Sequence, residues 1–223
     1  MIPFLQARHF RPGRREPETG QPCDVRAIVI HTAEIGESLE GAEALQKVCA
    51  TSERVASWHF AIDENSITQS VKEEDTAFHA PGLSHASIGI EHAGRARQTA
   101  DEWADEFSSR MLERSAELVA QLCHRHHVTC VRIGVEEIRN GHAGICGHVD
   151  VSKAFGKSDH YDPGPAFPWD WYMTRVLHHS RRLDENGQPL DASGQSQNAT
   201  NEAENLLEPS DEDTQPDGSA ATP

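Results

Sequence analysis

Two short runs towards the C-terminal end of the chain hold residue types that can do chemistry. Gly147-His148-Val149-Asp150 is followed by His160-Tyr161-Asp162-Pro163-Gly164-Pro165, so His148 and Asp162 stand fourteen residues apart in backbone punctuated by glycine and proline. Far upstream, His31 ends the apolar run Ala27-Ile28-Val29-Ile30. Two imidazoles and one carboxylate fill three positions of a tetrahedral zinc ion and leave the fourth open, which is the arrangement of a hydrolytic centre. Each residue also has a plainer reading. His31 and His148 could be buried histidines satisfied by hydrogen bonds, and Asp162 could open an Asp-Pro-Gly turn.

The surrounding elements must bring these residues together. Arg26–His31 reads as a buried strand, a β-branched run bounded by polar residues. A helix from a cap at Ser38 to about Ala50 would put Leu39, Ala42, Leu45 and Cys49 on one face. Trp58–Asp63 and Ile67–Val71, joined by Glu64-Asn65-Ser66, read as a hairpin. Ser87–His92 is a further short strand. Thr99 and Glu102 form a capping box, after which Trp103, Phe107, Met111, Leu118 and Leu122 predict one long helix from Ala100 to His126. Ile145–Gly147 reads as a strand that delivers His148, and Pro168 opens a last helix running to about His179. Strands alternating with helices predict an α/β fold, a single domain with a central mixed β-sheet flanked by helices.

The ordered set Ile30-His31-Thr32-Ala33, Ser57-Trp58-His59-Phe60-Ala61-Ile62-Asp63, Ala77-Phe78-His79-Ala80, Ser87-Ile88-Gly89-Ile90-Glu91, Gly147-His148 and Asp162-Pro163-Gly164-Pro165 resembles the zinc-dependent N-acetylmuramoyl-L-alanine amidases. That family includes phage endolysins, cytoplasmic recycling amidases and peptidoglycan recognition proteins. The resemblance spans roughly residues 24–178. It implies an amidase-like fold in which His31, His148 and Asp162 hold Zn2+ and Glu91 handles the proton of the attacking water. His160 stands where the family commonly has lysine, and a histidine supplies the same positive donor only when protonated. His59 and His79 are expected to line the cleft or pack beneath it. Trp58, where many relatives have tyrosine, and Tyr161 are expected on the cleft wall. The implied activity is hydrolysis of the bond between N-acetylmuramic acid and L-alanine, in cell-wall lysis of the endolysin kind. A recycling amidase acting on soluble muropeptides is the alternative enzyme, and a non-catalytic peptidoglycan-binding module the alternative outside enzymology.

Composition bounds the rest. The 223 residues carry a formal net charge of -16. Ten acidic residues, with no Lys, Arg, Phe, Trp or Tyr, fall between Leu183 and Pro223, leaving -6 for the remainder. Such a segment buries too little apolar surface to offset its ordering entropy, so 181–223 reads as a disordered acidic tail. Residues 1–22, rich in Arg and Pro, read as an N-terminal arm, and 23–180 as the catalytic domain. A mildly acidic domain argues against a nucleic-acid partner, and no apolar stretch approaches the roughly 18 residues of a membrane span. The start of the chain lacks the apolar core of a secretory signal. The expectation is a monomer, cytoplasmic as synthesised and released to the cell wall on lysis. The five cysteines lack metal-type spacing and read as free thiols.

Overall fold

Four parallel strands and one antiparallel edge strand make the central sheet of the computed structural model, which describes residues 2–190. In chain order, β1 is Phe10–Arg11, β2 Ala27–Thr32, β3 Phe60–Ile62, β4 Ile67–Gln69, β5 Thr76–Ala77, β6 Ser87–His92 and β7 Gly144–Gly147. The helices are α1 Gly41–Thr51, α2 Ala100–Trp103, α3 Glu106–Arg125, α4 Val135–Arg139, α5 His148–Phe155 and α6 Trp169–Ser180. The sheet runs β4-β3-β6-β2-β7, with β2 parallel to both β6 and β7. Every residue of β2 is buried, which is why its sequence is a near-continuous apolar run.

Alternation along β2 separates two cores. Ile28 and Ile30, with Ile88 and Ile90 of β6, join Met111, Leu112, Leu122, Tyr172 and Val176 from α3 and α6. Burying a leucine-sized side chain there contributes about 2 kcal/mol. Ala27 and Val29 face the other way, onto Leu83, Ile133, Ile138 and Val151. His31 follows Val29 in that alternation, so its ring belongs to the second face.

Local chemistry accounts for two departures from the expected helices. The stretch from Ala100 to Arg125 is two helices, because Asp105 takes extended backbone and its carboxylate accepts the Ser108 N–H at 2.8 Å, capping α3. An aspartate that can satisfy a free N–H in this way competes with helix continuation. The Thr99–Glu102 capping box forms as expected, but on the short α2. Likewise α1 starts at Gly41 without a cap from Ser38, and the Asp63 carboxylate accepts the Ala42 N–H at 3.0 Å instead. Leu39 is exposed.

The Arg- and Pro-rich segment before β2 lies along the domain. The Ala7 N–H donates to Ser70 O and the Arg8 N–H to Cys49 O, while β1 pairs antiparallel with β5. Arg14 is buried and donates to the carbonyls of Glu73 (2.8 Å) and Ser87 (2.9 Å). Burial lowers its pKa to about 10, so the guanidinium stays charged. From Leu183 onwards the chain forms a separate unit, in which a turn is closed by a bridge between Leu183 and Pro189. The remainder of the acidic segment, 191–223, lies outside the described residues. The five cysteines are unpaired. No helix among the described residues is long and apolar enough to cross a membrane.

Candidate active site

The parallel register puts the candidate residues at the carboxyl ends of adjacent strands, where α/β sheets present functional groups. His31 on β2 stands directly opposite Glu91 on β6. Ile30 stands opposite Gly147, the last residue of β7, so His148 emerges beside the same strand end as the first residue of α5. Asp150 holds this corner by accepting the Gly147 N–H at 2.9 Å and pairing with Arg132 at 2.6 Å. The Arg132 guanidinium in turn sits 4.0 Å above the Trp169 ring.

The two runs meet backbone to backbone. The Val149 N–H donates to Asp162 O at 2.9 Å. Gly147 permits the approach, since a Cβ there would stand 2.7 Å from Pro163 Cδ. Gly164 is constrained more tightly: its φ is +93°, and a Cβ would fall 1.8 Å from the Ala96 carbonyl oxygen. Gly164→Ala should therefore lower stability by about 2–4 kcal/mol and displace Asp162 two residues away. Thermal denaturation together with zinc content checks both effects, and a wild-type melting curve would refute the close approach.

His31, His148 and Asp162 bring one ligand atom each within 4.8 Å of one another, and all three residues are buried. His31 Nδ1 lies 3.1 Å from Asp162 Oδ2, and His148 Nδ1 lies 3.3 Å from Asp162 Oδ1. Burial works against the Asp162 carboxylate, yet hydrogen bonds with His148 and His31 outweigh it and hold the pKa well below the usual range. Burial lowers the His31 pKa although Asp162 opposes it. Two ring nitrogens thus converge on a carboxylate that stays ionised, in a space enclosed by protein. That donor set and spacing fit a zinc ion.

Glu91 lines the same cleft. Its Oε2 is buried and has no hydrogen-bond partner among the described residues. Burial, then the nearby Asp162 and Glu34 carboxylates, raise its pKa well above the ordinary carboxylate value. The His160 ring stacks on His148 at 4.2 Å, half exposed, with Nδ1 3.5 Å from Asp162 Oδ1. The cleft encloses about 580 Å³, and Trp58, His79 and Tyr161 are among its lining residues. Arg97 Nε donates to the Tyr161 hydroxyl at 3.1 Å.

His59 and His79 are placed differently from open cleft contacts. His59 is wholly enclosed beneath the site. It accepts the Gly89 N–H on Nδ1 at 2.9 Å, and Nε2 lies 3.2 Å from Asp75 O. Burial, with the Arg14 guanidinium alongside, pushes its pKa down to about 3. His79 borders the cleft, but Nδ1 faces His31 and Nε2 faces Ser87, which leaves neither ring nitrogen for a substrate. His92, at the end of β6, is fully buried behind His31. Its Nδ1–H donates to His31 O at 2.9 Å, and Nε2 meets Ser115 Oγ, itself 2.7 Å from the Tyr172 hydroxyl. The only sequence signal for this network was the apolar setting of three isolated polar residues. His124-Arg125-His126-His127 closes α3, with Arg125 and His126 paired to Glu73.

Comparison with known proteins agrees with this architecture. The family profile described as N-acetylmuramoyl-L-alanine amidase matches residues 20–165. The chain is 33% identical over 163 residues to N-acetylmuramoyl-L-alanine amidase A of Achromobacter lyticus, covering 67% of this chain and 82% of that protein. Among solved structures, a mutant endolysin from Bacillus subtilis superposes with a TM-score of 0.52 at 18% identity, covering 79% of this chain and 99% of that one. A selenomethionine AmpD derivative gives 0.54 at 18% identity, covering 78% and 93%. Both share the mixed sheet flanked by helices. The chain belongs to the N-acetylmuramoyl-L-alanine amidase family, enzymes that hydrolyse the amide bond between N-acetylmuramic acid and L-alanine in peptidoglycan.

Proposed function

We propose that this amidase is zinc-dependent and acts on polymeric peptidoglycan in the manner of a lytic enzyme. The observation that carries the zinc reading is the convergence of His31, His148 and Asp162 beside Glu91. A zinc ion held by these three residues would supply Lewis acidity, polarising the scissile carbonyl and acidifying the attacking water. Glu91 takes the proton of that water and returns it to the departing L-alanine nitrogen. A carboxylate with a raised pKa suits this, because it must gain a proton and then give it up. His160, stacked on His148 at the cleft mouth, is placed to donate a ring N–H to charge developing on the carbonyl oxygen. Trp58 and Tyr161 form walls against which the sugar or stem peptide packs. Tyr161 and Val55, both lining the cleft, are 44% and 68% exposed. A cleft with such exposed lining is open to solvent, and this supports action on intact cell wall.

The test is metal content together with the release of new L-alanine amino groups from purified sacculi. About one zinc per chain is expected, with release abolished by chelation and restored by zinc. Unchanged release from fully metal-stripped protein would sink the zinc mechanism. Sacculi and soluble anhydro-muropeptides offered in parallel read the substrate, and faster turnover of the soluble species would reassign the enzyme to recycling.

A further inference from the structure

His79 is tied into the site in a way that bears on the metal, and the following reading rests on the zinc site proposed above. The ring lies flat against β6 at Gly89, where a Cβ would stand 2.5 Å from the His79 Cγ and 2.6 Å from its Nδ1. Any side chain at position 89 would occupy the place of that ring. The glycine in Ser87-Ile88-Gly89-Ile90-Glu91 is therefore the space in which His79 sits.

The protons on this cluster follow from its donors. Ser87 Oγ gives its single proton to the Leu83 carbonyl at 2.9 Å. Towards His79 Nε2, 3.2 Å away, the hydroxyl oxygen can then only accept. His79 thus carries its proton on Nε2 and a lone pair on Nδ1. That lone pair faces His31 Nε2 at 3.0 Å, a hydrogen bond that needs the His31 proton on Nε2. His31 Nδ1, 3.1 Å from Asp162 Oδ2, is then the nitrogen whose lone pair a metal ion would take, in place of the proton that joins the two in the metal-free site. We propose that His79, supported by Ser87, is a positioning residue that fixes the tautomer and ring orientation of His31 for metal binding, and is not a substrate contact. Outer-shell partners of a ligating histidine commonly work this way, and losing one costs about 10–100-fold in metal affinity or activity.

The experiment measures the zinc dissociation constant of metal-stripped full-length protein by chelator competition, alongside KM and kcat on sacculi. His79→Leu, which removes the acceptor, should weaken zinc binding about 10–100-fold. His79→Asn, whose side-chain oxygen can accept near the position of Nδ1, should stay within a few-fold of wild type. Ser87→Ala should fall between the two. Nitrogen-edited NMR of the zinc-loaded wild type should place protons on Nε2 of both His31 and His79. Wild-type zinc affinity in His79→Leu with a raised KM would overturn the proposal in favour of substrate contact. Should His79→Leu not fold, the other two variants decide, and Ser87→Ala binding zinc as tightly as wild type, or His79 protonated on Nδ1, overturns it. A wild-type protein that takes up no zinc would instead remove the zinc reading itself, and this inference with it.

Discussion

Glu91→Gln should bind zinc as the wild type does and yet hydrolyse peptidoglycan about 10²–10⁴ times more slowly. Glutamine keeps the size of the side chain and its place opposite His31, but it cannot take a proton. The substitution also removes a carboxylate whose ionisation burial and Asp162 both oppose, so folding stability should hold or rise slightly. The signature is a collapse in kcat with metal content and melting temperature preserved. Retention of more than about a tenth of the wild-type rate would mean that another group handles the proton.

His148→Ala should fail in the opposite way, losing the metal first and the activity as its consequence. It removes one of the three proposed ligand donors and also the ring on which His160 stacks. Zinc affinity should drop by at least about 100-fold, the upper end of what an outer-shell loss costs, and amine release should become undetectable. The fold should survive, because His148 only opens α5, whose start is held by Asp150 and Arg132. Metal analysis, sacculus hydrolysis and circular dichroism read these outcomes separately. A variant that still carries one zinc and still releases amino groups would remove His148 from the site.

Both predictions concern residues that the sequence already marked, and the reason is local. His31 closes a β-branched run, His148 follows a glycine at a strand end, and Asp162 opens a proline-glycine turn, so each sits at a boundary that short-range pattern reveals. The positions of the five central-sheet strands were legible for the same reason, since apolar runs bounded by turn residues mark buried strands whatever they pair with. Other features depend on contacts between distant parts of the chain and left no periodic trace. Asp105 splits the helix because its side chain outcompetes continuation, while the apolar stripe runs on across the break. His79 was noticed as a histidine, but its pairing with His31 and Ser87 spans 48 and 8 residues and exists only once β6 is laid beside β2. The segment before β2 showed no amphipathic pattern because isolated contacts hold it: backbone hydrogen bonds, the buried Arg14, and Ala7 and Phe10 packed against Cys49, Val71 and Ala77.

That arginine has a bearing on how the domain could be transplanted. The family signature begins at residue 20, and a fusion partner would naturally be joined there. Arg14 would be lost in that cut, and with it the donor to the buried Ser87 carbonyl and to the carbonyl of Glu73. Each buried acceptor left without a partner costs about 1–3 kcal/mol. Ser87 is also the residue whose hydroxyl meets His79. A junction drawn by sequence similarity would thus loosen the enzyme from behind the proposed metal site, whereas one drawn ahead of Pro3, whose carbonyl accepts the Gln46 side-chain amide, keeps these contacts.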